Sequence, residues 1–141
     1  MNDDSKHDEG APDTPPSIGF GRVIQAWRYS LDGLSGAWRT EGAFRQEVIC
    51  AAILIPIALF IPVPVLHRGL LVASVLMVIV VELLNSAMEA TVDRISMDRH
   101  PLAKKAKDTG SAAVLVAILV AMIVWTAVLF PFVLPYVPAY R

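Results

Sequence analysis

Glu82, Asn85, Ser86, Glu89 and Asp93 interrupt the otherwise apolar run "VVELLNSAMEATVDRI", residues 80–95. Steps of 3, 4, 7 and 11 residues from Glu82 place all five within an arc of about 100° on a helix. At a rise of about 1.5 Å per residue, Glu82 and Glu89 stand some 10 Å apart along the axis, with Glu82 on the order of 16 Å inward of Asp93. An acid at such depth costs about 2.5–3.5 kcal/mol on insertion scales, so it points to function. Carboxylates at two depths suit two tasks. The deeper Glu82 can take a proton, and the shallower Glu89 can hold a hard cation such as Mg²⁺ beside water. The same face also reads as a polar packing seam, with Asn85 and Ser86 bonding across helices and the glutamates protonated.

Two further groupings carry charge at the ends of apolar runs. In "KKAKDTGSAA", residues 104–113, Asp108 or Ser111 is predicted to cap a helix whose positive dipole end would receive an anion beside Lys107. Lysines flanking a membrane span, with a plain helix cap, account for the same segment. In "TEGAFRQE", residues 40–47, Glu41 and Arg45 are four apart and can pair on a helix surface. Neither the phosphate loop G-x-x-x-x-G-K-[ST] nor the kinase loop G-x-G-x-x-G occurs, so a nucleotide site here is of another kind. His7, His67 and His100 do not cluster, and Cys50 is the single cysteine, which excludes an intrachain disulfide and a cysteine zinc cluster. No nucleic-acid-binding module is present in the sequence pattern.

These side chains need a scaffold, and the composition supplies one. The chain has 141 residues, 55% of them hydrophobic, with a mean hydropathy of +0.57, well above ordinary soluble domains. Apolar stretches at 48–66, 69–92 and 111–135 each approach the roughly 20 residues that cross hydrocarbon as a helix. A sheet is not expected, since a short chain in lipid cannot close its edges except as a barrel, and no alternating pattern appears. Pro56 interrupts the first stretch, so its helix is predicted to start near Glu41 and to kink at Pro56. In the third, Trp125 and Tyr136 are candidate interface anchors.

Ahead of the spans, Phe20, Val23, Ile24, Trp27, Leu31, Leu34 and Trp38 recur at helical spacing opposite Gln25, Arg28, Asp32, Ser35 and Arg39. That pattern predicts a helix lying in the headgroup plane. Arg22, Arg28, Arg39 and Arg45 precede the first span, and Arg94, Arg99, Lys104, Lys105 and Lys107 follow the second. Between the first two spans stand only His67 and Arg68, so the N-terminus and the 93–110 connection are predicted to be cytoplasmic. Residues 1–17 hold five acids and one lysine, with little to bury, and are expected to form a disordered acidic tail without signal-peptide features. The expected organisation is thus a tail over 1–17, an amphipathic surface helix over 18–40, and a three-span unit over 41–141, with spans near 41–61, 67–93 and 108–135.

"ELLNSAMEATVDRI", "AKDTGSAAVL" and "EGAFRQE" together resemble the bacterial integral-membrane diacylglycerol kinases, and the resemblance runs from about Gly19 to Trp125. It implies an all-α integral membrane protein of the bacterial inner membrane: a homotrimer of three-span subunits, each with an N-terminal surface helix. The implied reaction is transfer of the γ-phosphoryl group of MgATP to the hydroxyl of diacylglycerol, giving phosphatidic acid and ADP. By the same resemblance Glu82 is the proton acceptor, supported by Asn85, and Glu41 and Glu89 hold Mg²⁺. Nucleotide contacts would come from Arg22, Tyr29, Glu41, Glu89, Asp98, His100, Lys107 and Asp108. Contacts to the lipid substrate would come from Arg22, Ser30, Trp38, Phe44, Arg45, Gln46, Glu47, Glu82 and Ser111. The sites would be composite between subunits. Departures lie at Asp32 and Ser35, where the family often carries basic residues, and at the "PVPVL" turn, which replaces an acidic one.

Three other readings compete. A kinase of the same family can act on another lipid alcohol such as undecaprenol. A small proton- or ion-conducting oligomer would line its path with Glu82 and Glu89 and turn over no ATP. A structural scaffold has no use for Glu41, Glu89 and Lys107.

Overall fold

The computed structural model describes residues 20–95 and 100–133, so Asp98 and the acidic tail lie outside the described residues. The described residues form four helices: α1 (Phe20–Thr40), α2 (Gly42–Phe60), α3 (Val65–Ile95) and α4 (Pro101–Val133). Three of them, over Gly42–Phe60, Val65–Ile95 and Pro101–Pro131, are long and apolar enough to cross a membrane. By internal contacts the chain divides after Ser35, and its two parts are described separately.

In the first part, α1 carries Val23, Ile24, Trp27, Leu31 and Leu34 exposed. Gln25 Nε2 donates to Tyr29 Oη at 2.7 Å, and Ser30 Oγ turns back to the Ala26 carbonyl at 2.9 Å. The Ser30 hydroxyl is thereby engaged by its own helix.

In the second part, α3 is the central element, packed by α2 on one side and α4 on the other. Ala51 and Ala58, two turns apart, are buried on one face of α2; small side chains there let helices approach closely. The apolar core gathers at one end, where Ala58, Val63, Leu71 and Val128 are buried among half-buried Val72, Val124 and Trp125. There the α2–α3 turn is held by the Val63 N–H on the Ile61 carbonyl at 2.8 Å and by Arg68 Nε on the Val63 carbonyl at 3.0 Å. Pro56 is accommodated inside α2, which runs on to Phe60. Elsewhere large apolar side chains such as Phe60, Met77, Leu84 and Ile123 point outward, as helices meeting lipid require.

Two local expectations are corrected. Arg45 does not pair with Glu41; its Nη1 donates to the carbonyls of Trp38 at 3.1 Å and Arg39 at 3.2 Å. A helix end leaves carbonyls without partners, and a guanidinium one turn into the next helix satisfies two of them. Nor do Asp108 and Ser111 cap α4, which begins at Pro101, about two turns earlier. Proline is well suited to the first helical position, the following Leu-Ala-Lys-Lys-Ala-Lys residues favour helix, and the Leu102 N–H bonds His100 Nδ1 at 3.2 Å. Asp108 instead pairs with Lys104 within the helix at 2.5 Å. The N-terminal end of α4, with its dipole, therefore lies at Pro101 and not beside Asp108.

Candidate active site

The polar stripe of α3 becomes a gradient of burial. Glu82 is only 3% exposed, Asn85, Ser86 and Glu89 are half-buried, and Asp93 is exposed. This grading follows from the neighbours: α2 and α4 cover the helix around Glu82, and cover thins toward Ile95. Asn85 Nδ2 donates to Glu89 Oε1 at 3.2 Å, tying two rungs of the stripe together. The Asn85 amide is also near enough to Glu82 to act on its carboxyl. Glu82 in turn lies within charge-interaction range of Glu89, Glu41 and Glu47. Three other carboxyl groups, from α3, the residue before α2 and the first turns of α2, thus lie within reach of the charge of Glu82.

Glu41 is the residue before α2, with extended backbone at φ −101° and ψ 116°, and Thr40 Oγ1 donates to its Oε1 at 3.1 Å. The Arg45 clamp on the last carbonyls of α1 fixes the corner from which Glu41 projects. Glu47, one turn and a half into α2, is half-buried, and its Oε2 is buried without a hydrogen-bond partner. Glu47 and exposed Gln46 open onto a cleft of about 640 Å³ between α2 and α4 that continues past Cys50, Val78 and Met122 to Trp125.

On the α4 side Lys107 Nζ pairs with Asp93 Oδ1 at 2.6 Å, both partly exposed. The pair joins the shallow end of the stripe to the basic start of α4. Sequence reasoning placed both residues but not their contact, because nothing in local spacing reports a meeting across two helices. His100 and Ser111 are exposed, Trp38 is 45% exposed at the end of α1, and Phe44 is buried. Arg22, Tyr29 and Ser30 lie on the first part of α1.

Among the described residues no three His, Cys, Asp or Glu side chains converge as a ready-made metal cage. The donor set nevertheless suits Mg²⁺, which is commonly bound through one or two carboxylates plus substrate phosphates. Glu41 and Glu89 are hard oxygen donors, both near Glu82, and Asn85 engages one oxygen of Glu89 only.

Three helices apolar enough to span a membrane, with a buried glutamate, further carboxyl groups and a lysine–aspartate pair along one polar stripe, define a membrane protein with an ionisable site among its spans. Comparison with known proteins sharpens that class. The chain is 50% identical over 114 residues to the diacylglycerol kinase of Escherichia coli strain K12, covering 81% of this chain and 93% of that one. To the diacylglycerol kinase of Pseudomonas aeruginosa it is 50% identical over 111 residues, 79% and 90% of the two chains. To that of Haemophilus influenzae it is 46% identical over 114 residues, 81% and 97%. Residues 28–129 match the family described as prokaryotic diacylglycerol kinase, and the chain belongs to that family. It is, accordingly, a lipid kinase.

Proposed function

We propose that this chain transfers the γ-phosphoryl group of MgATP to the hydroxyl of diacylglycerol. The supporting observation is the buried Glu82 at the deep end of a polar stripe whose shallow end carries Glu89 and the Lys107–Asp93 pair. A diacylglycerol keeps its acyl chains in lipid, so its hydroxyl meets the stripe from the apolar side, while a nucleotide arrives from water. Glu82 accepts the hydroxyl proton as the oxygen bonds the γ-phosphorus; the bond from that phosphorus to the bridging oxygen breaks, leaving phosphatidic acid and ADP. Asn85, hydrogen-bonded to Glu89, supports the neighbouring Glu82, and Lys107 offers a point charge to the phosphates.

Mg²⁺, when bound by Glu41 and Glu89, supplies neutralisation of the phosphate charge. Asp98, His100 and Asp108, with Arg22 and Tyr29, are assigned to the nucleotide. Arg22, Ser30, Trp38, Phe44, Arg45, Gln46, Glu47 and Ser111 are assigned to the lipid substrate. Of these, Arg45 has a further duty in closing α1, and Phe44 is buried within its own subunit.

The same reading makes α1 an amphipathic helix in the headgroup plane, preceded by a tail over 1–17 and followed by the kinase unit over 41–141. The basic residues of short connections orient the N-terminus toward the cytoplasm in a bacterial inner membrane. Association with further copies is supported by the small interior of a single subunit, since among the described residues of α4 only Gly110 and Val128 are buried and the cleft beside Glu47 is open; that the copies number three, a homotrimer, is what the family resemblance implies. The test is incubation of purified protein in lipid micelles with labelled ATP and a panel of lipid alcohols. Labelled phosphatidic acid, lost on chelation of divalent ions, is the expected product. Label on undecaprenol alone, or conductance without ATP turnover, would replace this reading.

A further inference from the structure

We propose that Gly110 of α4 is a positioning residue for the site, its missing side chain being the space in which the Asn85 amide is held against Glu89. Gly110 is buried, and a Cβ built on it would overlap Asn85 Oδ1 and the end of Met88, with Asn85 Cγ at 3.2 Å. Real Cβ atoms essentially never come so close to another atom, so a side chain here makes the Asn85 amide and the end of Met88 shift. Met88 is a flexible side chain that can yield. Asn85 cannot yield without consequence, because the opposite end of its amide donates to Glu89 Oε1 at 3.2 Å. Its Oδ1 is buried with no hydrogen-bond partner and lies against the bare Cα of Gly110, so shape and not a polar bond fixes the amide's rotation.

The location on α4 reinforces this. Lys107 stands one turn before Gly110 and pairs with Asp93, one turn after Glu89. The closeness of α3 and α4 that glycine permits therefore sets both the Asn85–Glu89 bond and the reach of Lys107. A glycine serving helix packing alone would affect stability and leave the Asn85–Glu89 bond as it is. A positioning glycine couples to Asn85.

The kinetic side of the inference rests on the kinase reading; its spectroscopic side does not. Asn2 and Asn85 are the two asparagines of the chain, so ¹⁵N-asparagine labelling yields two side-chain amide signals. In the Gly110 protein, Glu89→Gln is expected to shift the Asn85 signal; in Gly110→Ala the same change is expected to leave it in place. Gly110→Ala should lower kcat by about 10–100-fold, the scale of an ångström misplacement. In an Asn85→Ala background it should lower kcat by no more than about twofold, because the partner it acts through is gone. Met88→Ala added to Gly110→Ala relieves half of the overlap. It is expected to restore the thermal midpoint while kcat stays low, which also covers poor folding of the single variant. An Asn85 signal that still answers to Glu89→Gln in Gly110→Ala, or an equal kcat loss in both backgrounds, would overturn the proposal. Wild-type protein that phosphorylates no lipid but shows the Asn85 response would refute the kinase reading and uphold the positioning role.

Discussion

Glu82→Gln keeps the shape of the side chain and removes its capacity to take a proton. Its effects on turnover and on stability are expected to have opposite signs. Loss of a positioned general base lowers turnover by about 10²–10⁴-fold, or about 2.7–5.5 kcal/mol of barrier. The residue is 3% exposed and shares its surroundings with Glu89, Glu41 and Glu47, so the carboxyl has little water and three like neighbours. Removing one such group relieves on the order of 1 kcal/mol, which corresponds to a thermal midpoint raised by about 2–8 °C. The measurements are kcat at saturating ATP and lipid, and the unfolding midpoint of the same preparation in the same detergent. Glu82→Asp, which keeps the base but withdraws it by about one bond length, should fall between the two in rate. Turnover of Glu82→Gln within about fivefold of wild type would refute the base assignment. A midpoint lowered by several degrees would refute the picture of Glu82 as a group held against its own stability.

Lys107→Ala is expected to raise the apparent KM for ATP by about 10-fold or more, the value of a charge-assisted hydrogen bond, as measured by initial rates. Its partner change Asp93→Asn should alter the unfolding midpoint little, since the pair is partly exposed and such pairs contribute about 0–1 kcal/mol. Leu71→Ala, at the fully buried centre of the apolar cluster, is expected to lower stability by about 2–4 kcal/mol, seen as an earlier unfolding midpoint, with kcat of the folded fraction unchanged.

Much of this arrangement can be read from local pattern. Hydropathy marks three spans, and the 3.6-residue repeat places Glu82, Asn85, Ser86 and Glu89 on one face of α3, because both signals depend on a single helix. What escapes depends on two. The spacing of Glu41 and Arg45 invited a local pair, yet the guanidinium found unsatisfied carbonyls at the end of α1. Asp108 and Ser111 looked like caps because the apolar run starts there, but the lysine-bearing segment before them is itself helical from Pro101. The Lys107–Asp93 contact and the Gly110–Asn85 contact join residues of different helices, and only the packed chain shows them.

The Ile61–Pro64 turn lies at the opposite end of the hairpin from the carboxyl groups, yet it governs their spacing. α2 has 19 residues, a lever about 28 Å long. A tilt of about 2° at this pivot swings the far tip by about 1 Å, and the separation of Glu41 from Glu89 changes with it. The prolines flanking buried Val63, and the Arg68 strut on its carbonyl, stiffen that fulcrum. The separation of carboxyl groups at one end of the α2–α3 hairpin thus depends on the stiffness of a turn at the other.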